Sequence, residues 1–408
     1  MMEVSTEFVM PKGFQAAGAH IGIKKDTDKK DLALLVSDCP AEFAVALTTN
    51  VVKAAPIIWN QKVDQAGKKI KAIVCNSGNA NACTGSAGIA HNEEMAAQTA
   101  ACLGAQKNEV LVASTGVIGV TLPIDVVKAG IQKVAPQLKS YAPAGIAAAE
   151  AIMTTDSFAK YCTIQTVIGG KIVTITGLAK GSGMIHPNMA TMLSFVLTDA
   201  TISKALLHKA LIDSVQVSYN MISVDGDTST NDMVAVLANG ASGAAEIVEG
   251  GADWKNFVDA LNAVNTYLAK SIARDGEGAT KLLTVTVKGS KNIQEAQKLS
   301  KSVVSSNLVK TAMFGEDANW GRIVAALGYG GVAFDPTKIS VQMASDAGVV
   351  SLLSSGEPCD FSEDLAAAVM KKKNIEVLID LNDGLSWATA WGCDLSYDYV
   401  RINGSYRT

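Results

Sequence analysis

The sequence has 408 residues, 48% of them hydrophobic and 18% charged, with 35 basic against 39 acidic side chains and a net charge of −4. A chain of this length exceeds what one hydrophobic core fills, so two or more domains are expected, and a composition this rich in apolar residues excludes a disordered chain. The near balance of charge offers no basic face for nucleic acid or anionic lipid, and no stretch is apolar for long enough to span a bilayer. The opening residues, Met1-Met2-Glu3-Val4-Ser5-Thr6-Glu7, lack the basic segment and apolar run of an export leader, so a cytoplasmic location is expected. Seven cysteines (Cys39, Cys75, Cys83, Cys102, Cys162, Cys359, Cys393) are odd in number and form no C-x-x-C pair; they read as reduced, mostly buried thiols. The dispersed histidines His20, His91, His186 and His208 predict no zinc site.

Residues 31–37, 43–49 and 70–75 carry short apolar runs that end in small polar residues, which predicts three strands followed by turns. The third run enters Asn76-Ser77-Gly78-Asn79-Ala80-Asn81-Ala82-Cys83-Thr84-Gly85, which on composition alone reads as a tight surface loop able to adopt positive φ. Residues 92–103 predict an amphipathic helix with Met95, Ala96, Thr99, Ala100 and Leu103 on one face. The stretch 109–119 reads as a strand running into Ser114-Thr115-Gly116, where a hydroxyl and a backbone N–H can point at one spot, as a developing oxyanion requires. Taken alone, such a turn is usually only a turn. Helices are predicted at 124–137 and 144–153, the second alanine-rich and ending at Met153-Thr154-Thr155-Asp156-Ser157. Residues 161–168 and 171–176 alternate like a hairpin around Gly169-Gly170, and the second strand delivers Lys180.

A helix at 203–220 precedes Ser223-Val224-Asp225-Gly226-Asp227-Thr228-Ser229-Thr230-Asn231-Asp232. Its Asp-x-Asp-x-Ser start is not an EF-hand loop, because Thr230 stands where that loop needs glycine and Val236 where it needs glutamate; a hydrogen-bonded turn is expected. A helix at 254–272 leads to Glu277 between Gly276 and Gly278, and 282–287 return to strand. From about 289 onward a helix near 292–304, strands near 339–343 and 375–381 and a helix at 362–372 suggest a second unit, so the expected domains are 1–288 and 289–408. Neither a phosphate-binding loop, nor a G-x-G-x-x-G after a strand, nor a G-x-S-x-G elbow is present, which leaves nucleotide binding and the common serine-hydrolase site without support.

The chain is organised around Lys180-Gly181-Ser182-Gly183-Met184-Ile185-His186-Pro187-Asn188-Met189-Ala190-Thr191-Met192. A threonine whose hydroxyl can attack the preceding carbonyl, a small alanine at that carbonyl and a glycine-rich approach make a cut between Ala190 and Thr191 chemically reasonable. An Ala-Thr pair is common, however, and a loop entering the buried strand Leu193-Ser194-Phe195-Val196-Leu197 would look the same. The block resembles the self-cleavage motif of the ornithine acetyltransferase family, also called ArgJ or glutamate N-acetyltransferase. Separate blocks along nearly the whole chain share the resemblance, among them Asn76–Gly85, Ser223–Asp232 and Lys310-Thr311-Ala312-Met313-Phe314-Gly315-Glu316-Asp317-Ala318-Asn319-Trp320-Gly321-Arg322.

The resemblance implies an α/β fold, a layered sandwich of β-sheets and helices of the ArgJ and self-processing aminopeptidase type, with a smaller C-terminal α/β domain completing the active site. It implies fragments 1–190 and 191–408, paired two and two in a heterotetramer. Thr191 is then the nucleophile, and Thr115 and Gly116 the oxyanion hole. Thr154 (with Thr155 as the near alternative), Lys180, Thr191, Glu277, Asn403 and Thr408 become substrate contacts, so the terminal segment must be tied down. The implied substrates are N-acetylornithine and glutamate, with no cofactor; acetyl-CoA is left open as a further acetyl donor. Cleavage would also supply the base, since an α-amine with a reference pKa of about 7.7–8.0 is partly neutral near pH 7. Two rivals are a self-processing aminopeptidase or amidohydrolase, which passes the acyl group to water, and a binding protein whose bond stays intact.

Overall fold

The computed structural model describes residues 2–186 and 192–405. Its first half runs β1 (Phe14–Ala19), β2 (Leu32–Leu47), α1 (Ala55–Ala66), β3 (Ile70–Asn79), α2 (Gly85–Leu103), β4 (Val110–Val117), α3 (Ile124–Val134), α4 (Ala142–Ala151), β5 (Lys160–Ile168) and β6 (Lys171–Lys180). Next come β7 (Leu193–Thr198), α5 (Lys204–Val217), β8 (Ile222–Ser223), β9 (Met233–Ala238), α6 (Ala252–Arg274), β10 (Leu282–Ser290), α7 (Ile293–Ser305), α8 (Asn307–Phe314) and α9 (Trp320–Gly328). The chain finishes with β11 (Ser340–Ser345), β12 (Gly348–Ser354), β13 (Glu357–Pro358), α10 (Glu363–Met370), β14 (Asn374–Asp380), β15 (Ser386–Cys393) and α11 (Tyr397–Gly404).

The first unit comprises Met1–Gly181, Asn188–Asn220 and Thr228–Leu268. Its sheet has the order β4-β3-β2-β9-β7-β6-β5, with β1 also paired to β2. Side chains alternate across a strand, and here both faces are buried. Ala33, Leu35, Ile73 and Cys75 enter one core with Ala148 and Ala149 of α4, whereas Leu32, Leu34, Ala72 and Val74 enter another with Met95 of α2 and Ile131 of α3. The two strands expected at 31–37 and 43–49 are halves of β2. Proline has no N–H for a ladder, and the pairing of β2 with β3 shifts register between Val36 and Ala41, across Pro40. The first half of β2 pairs with β1 and the second with β9. β4 ends the strand order and is covered by α1: the Trp59 indole donates to Val110 O at 2.9 Å, and the Asn60 amide donates to Val112 O and accepts from Val112 N at 2.8 and 3.0 Å. Such pairing removes the hazard of an open edge.

The second unit comprises Ser182–Pro187, Met221–Asp227 and Ala269–Thr408. Its sheet has the order β13-β12-β11-β14-β10-β15-β8, with β10 parallel to β14 and antiparallel to β15. α7, capped by the Asn292 side chain on Glu295 N, buries Ala296, Leu299 and Val303. The division differs from the expected boundary after residue 288. β10 is an interior strand of the second sheet and cannot be separated from it; its alternating sequence states that it is a strand but not which strands it joins. The thiols also depart from expectation: all seven are free, but only Cys75, Cys162 and Cys393 are buried, whereas Cys39, Cys83 and Cys102 are exposed.

β1 packs so closely on α4 that a Cβ on Gly18 would lie 2.1 Å from the carbonyl oxygen of Ala147. Backbone stands against backbone there, and neither side can rotate away. A Gly18→Ala variant should lose about 3 kcal/mol, the upper part of the usual overpacking range. A thermal melt reads this as a clear drop in Tm, and an unchanged Tm would show that the β1–α4 approach is looser than described.

Candidate active site

In the first unit the ends of three neighbouring strands line up. Lys180, the last residue of β6, pairs with Leu193, the first of β7, which pairs in turn with Met233, the first of β9. One edge of the sheet therefore presents Lys180, the backbone of Met192 and the Asn231-Asp232 pair; Met233 N donates to Met192 O at 2.9 Å. Lys180 is 8% exposed and its Nζ donates to Thr115 Oγ1 at 3.3 Å. That oxygen accepts from the ammonium, so its own O–H is free to donate elsewhere, and the adjacent positive charge makes it a stronger donor.

The strand ends are fixed by Asp156. Its Oδ1 accepts from Gly181 N at 2.7 Å and from Lys160 Nζ at 2.7 Å, and its Oδ2 accepts from Thr154 N at 2.9 Å. The Asp156 and Lys160 side chains are both fully buried. Burial alone would raise the Asp156 pKa, but the charges of Lys160 and Lys180 and the bonds from Lys160 and Thr154 outweigh it and hold the carboxyl well below the usual carboxylate range.

Gly116 has φ +134°, and a Cβ there would stand 2.3 Å from the carbonyl carbon of Gly78, its partner across the β3–β4 ladder. The register shifts at Gly78–Asn79, so the strand pair ends in an irregularity just where Thr115 and Gly116 are presented. The asparagine-rich block that follows is not the surface loop its composition suggested. Asn76, Ser77, Asn79 and Asn81 are buried. Asn76 Nδ2 donates to Asn79 O, Asn76 Oδ1 accepts from Ser114 Oγ, Asn79 Nδ2 donates to Val120 O, and Asn81 N donates to Asn79 Oδ1. The amides replace ladder partners for backbone that has left the sheet. Asn231 completes the frame, its Nδ2 donating to Ala80 O at 2.6 Å and Ser114 O at 2.8 Å. Beside it Asp232 is 2% exposed, and its Oδ2 has no hydrogen-bond partner among the described residues. Burial pushes this carboxyl well above its ordinary range, against bonds from Ser229 and the charge of Lys180.

The second unit gathers a different set. Glu277 is 8% exposed; its N–H donates to Ser182 O at 2.9 Å, and its Oε2 accepts from Asn403 Nδ2 at 2.7 Å. Gly183 leaves room for that carboxylate, since a Cβ there would lie 2.4 Å from it. Asp225 accepts from Met184 N at 2.6 Å and Ile185 N at 2.8 Å. His186 stands with its Nδ1 3.0 Å from Ser223 Oγ; burial, and then the charge of Lys301, lowers its pKa to about 4, so the ring is neutral near pH 7.

A family model described as the ArgJ family matches residues 15–408. The chain belongs to the ArgJ family. The arginine biosynthesis bifunctional protein ArgJ of Symbiobacterium thermophilum is 53% identical over 399 residues, covering 98% of each chain. Its Thermotoga neapolitana counterpart is 48% identical over 402 residues, covering 98% of this chain and 100% of the other. A crystal structure of the protein of the same name from Bacillus halodurans is 46% identical with a TM-score of 0.50; the match covers 53% of this chain and 100% of that one. As an ArgJ-family chain the protein is an acyltransferase of arginine biosynthesis. Among the residues singled out in the sequence, Thr115, Gly116 and Lys180 come together, with Thr154 joined to them through Asp156; Glu277 and Asn403 form a second pair. Ala190, Thr191 and Thr408 lie outside the described residues. The sequence reading missed Asp156, Lys160 and the buried state of Asp232. An acid and a base four apart in Asp156-Ser157-Phe158-Ala159-Lys160 was the available signal, but it is indistinguishable from a surface pair. Among the described residues no group of three or more His, Cys, Asp and Glu side chains could hold a metal ion, and no helix is long and apolar enough to cross a membrane.

Replacing Asp156 by Asn leaves Lys160 buried without its counter-charge, which typically costs about 3–5 kcal/mol. The depressed pKa of Asp156 fixes the pH window: its contribution is complete above the ordinary carboxylate value of about 3.9 and is lost as pH falls toward the folded-state value. Denaturation of wild type and Asp156→Asn should therefore show a gap in stability that is constant from pH 5 to 8 and closes below about pH 4. A gap independent of pH throughout would mean that the carboxylate's charge contributes nothing.

Proposed function

We propose that this chain cuts itself between Ala190 and Thr191 and then moves acetyl from N2-acetyl-L-ornithine to L-glutamate in two half-reactions through an acetyl ester on Thr191. The observation that carries this reading is the bond from Lys180 to Thr115, at the sheet edge where β7 begins two residues after Thr191. A further support is that the Bacillus halodurans chain is matched over its whole length by 53% of this one, as a separate fragment of a cut protein would be.

The free α-amine of Thr191 takes the proton of its own hydroxyl, whose oxygen attacks the acetyl carbonyl. The Thr115 O–H, polarised by Lys180, and the Gly116 N–H donate to the resulting oxyanion. The amine returns the proton to the departing nitrogen of ornithine, leaving the acetyl ester. An ester is more reactive than an amide, so the amino group of glutamate displaces Thr191 without an energy source. Glu277, oriented by Asn403, suits an amino group of the substrate; Thr154, Lys180 and Thr408 are further substrate contacts in this reading. No cofactor is required, and acetyl-CoA would load the same threonine as a second donor. Fragments 1–190 and 191–408 would assemble two and two in the cytoplasm, without nucleic acid or membrane. If water took the acetyl group instead, the enzyme would be an amidohydrolase, and product formation would not depend on glutamate.

Intact mass measurement should give two species, the second beginning Thr191-Met192-Leu193, whereas Thr191→Ala should stay as one inactive chain. Cut or active Thr191→Ala protein would remove Thr191 from the mechanism. Loss of one oxyanion donor costs about 2.7–4 kcal/mol of barrier, so Thr115→Ala should slow acetyl transfer at least tenfold with the fold retained. Wild-type rates in that variant would exclude the Thr115 hydroxyl as a donor.

A further inference from the structure

Lys24 lies on the loop between β1 and β2, in the first unit. The loop is tied by the buried carboxylate of Asp31, which accepts from Ile21 N and Lys24 N at 2.6 and 2.9 Å, and from Gly22 N and Ile23 N at 3.2 and 2.8 Å. The backbone of Lys24 is thus fixed, and its stem is directed across Gly78: a Cβ on Gly78 would stand 3.2 Å from Lys24 Cγ and 3.1 Å from Ile23 Cγ2. Gly78 is the ladder partner of Gly116. At its far end the Lys24 Nζ donates to Met153 O at 2.8 Å and to Lys30 O at 2.7 Å. Met153 precedes Thr154, whose N–H is bound by Asp156. Lys24 therefore spans from the glycine paired with Gly116 to the carbonyl next to Thr154.

The charge at this place is unusual. An ammonium has three N–H donors, and two are used on neutral carbonyls. No carboxylate forms an ion pair with Lys24 among the described residues. The nearby acids are committed: Asp31 to four backbone N–H groups, and Asp156 to Lys160, Gly181 and Thr154. Burial lowers the Lys24 pKa to about 8; Asp31 acts to raise it, Lys29 to lower it, and Asp156 to raise it. The group is still cationic near pH 7. A half-buried cation, held in place by two carbonyls and lacking an anion, is preorganised for one. N-acetylornithine and glutamate both carry an α-carboxylate.

We propose that Lys24 is a specificity-determining residue of the acyl-transfer site, its ammonium receiving the α-carboxylate of the amino-acid substrate between the Gly78–Gly116 pair and Thr154. The inference rests on the proposed function above, which takes Thr115, Gly116 and Thr154 as substrate-facing. Nothing in the sequence distinguished Lys24 from the neighbouring Lys25, Lys29 and Lys30.

The test is a comparison of two donors, N-acetylornithine and its α-carboxamide, with wild type, Lys24→Met and Lys24→Arg, glutamate being the acceptor throughout. Methionine keeps an apolar stem over Gly78 and removes the charge. Wild type should prefer the acid to the amide. Lys24→Met should lose at least tenfold in kcat/KM for the acid, mainly through KM, with little loss for the amide, so that the preference collapses; Lys24→Arg should recover part of it. A variant damaged in folding or processing would lose both donors together, and such a parallel loss, or an unchanged preference, overturns the assignment of Lys24. Wild-type enzyme that transfers no acetyl from N-acetylornithine overturns the proposed function instead, and the inference with it.

Discussion

The Asp156 carboxylate is the interaction on which the first unit's site depends. A charge buried this deeply is tolerated only when every lone pair has a use, and here the partners come from three places: Lys160 at the start of β5, Gly181 just after β6, and Thr154 after α4. The hydrogen bond to Gly181 fixes the backbone next to Lys180, and so determines where the Lys180 ammonium stands and which hydroxyl it meets. The contact with Thr115 follows from that placement. A surface salt bridge between the same residue types would hold nothing in register.

Each unit, taken by itself, holds charged candidate residues of its own. The first has Lys180 at its strand ends and Lys24 on the β1–β2 loop, with Asp156 engaged by Lys160 and backbone amides and Asp31 by backbone amides. The second carries Glu277, with one oxygen held by Asn403.

The sequence showed much of the fold because the patterns that produce it are local. The β5–β6 hairpin around Gly169-Gly170 and the helices α3, α6 and α7 were legible from periodicity within a residue or two to several. What failed was information carried by pairing. β2 read as two strands because its bend at Pro40 looks like a break, and β10 was put in the wrong neighbourhood because a strand's sequence does not name its partners. The asparagine block read as a solvated loop because amide side chains look polar until their backbone partners are known. The candidate positions Thr115, Lys180 and Glu277 are legible only through family resemblance. Asp156, Asp232 and Lys24 were invisible, since each is defined by burial or by a partner distant in sequence.

The strand order of the first sheet bears on the proposed cut of the Ala190–Thr191 bond. β7 and β9 come after that bond in the chain, yet they lie between β2 and β6, which come before it. Two strands of one fragment would be clasped on both sides by strands of the other, by antiparallel ladders from Glu42 to Leu47 on one flank and from Ile175 to Lys180 on the other. Severing the peptide would therefore create two polypeptides without creating two folded bodies. The fragments would be born interlocked, as a heterodimer whose interface is the interior of a single sheet.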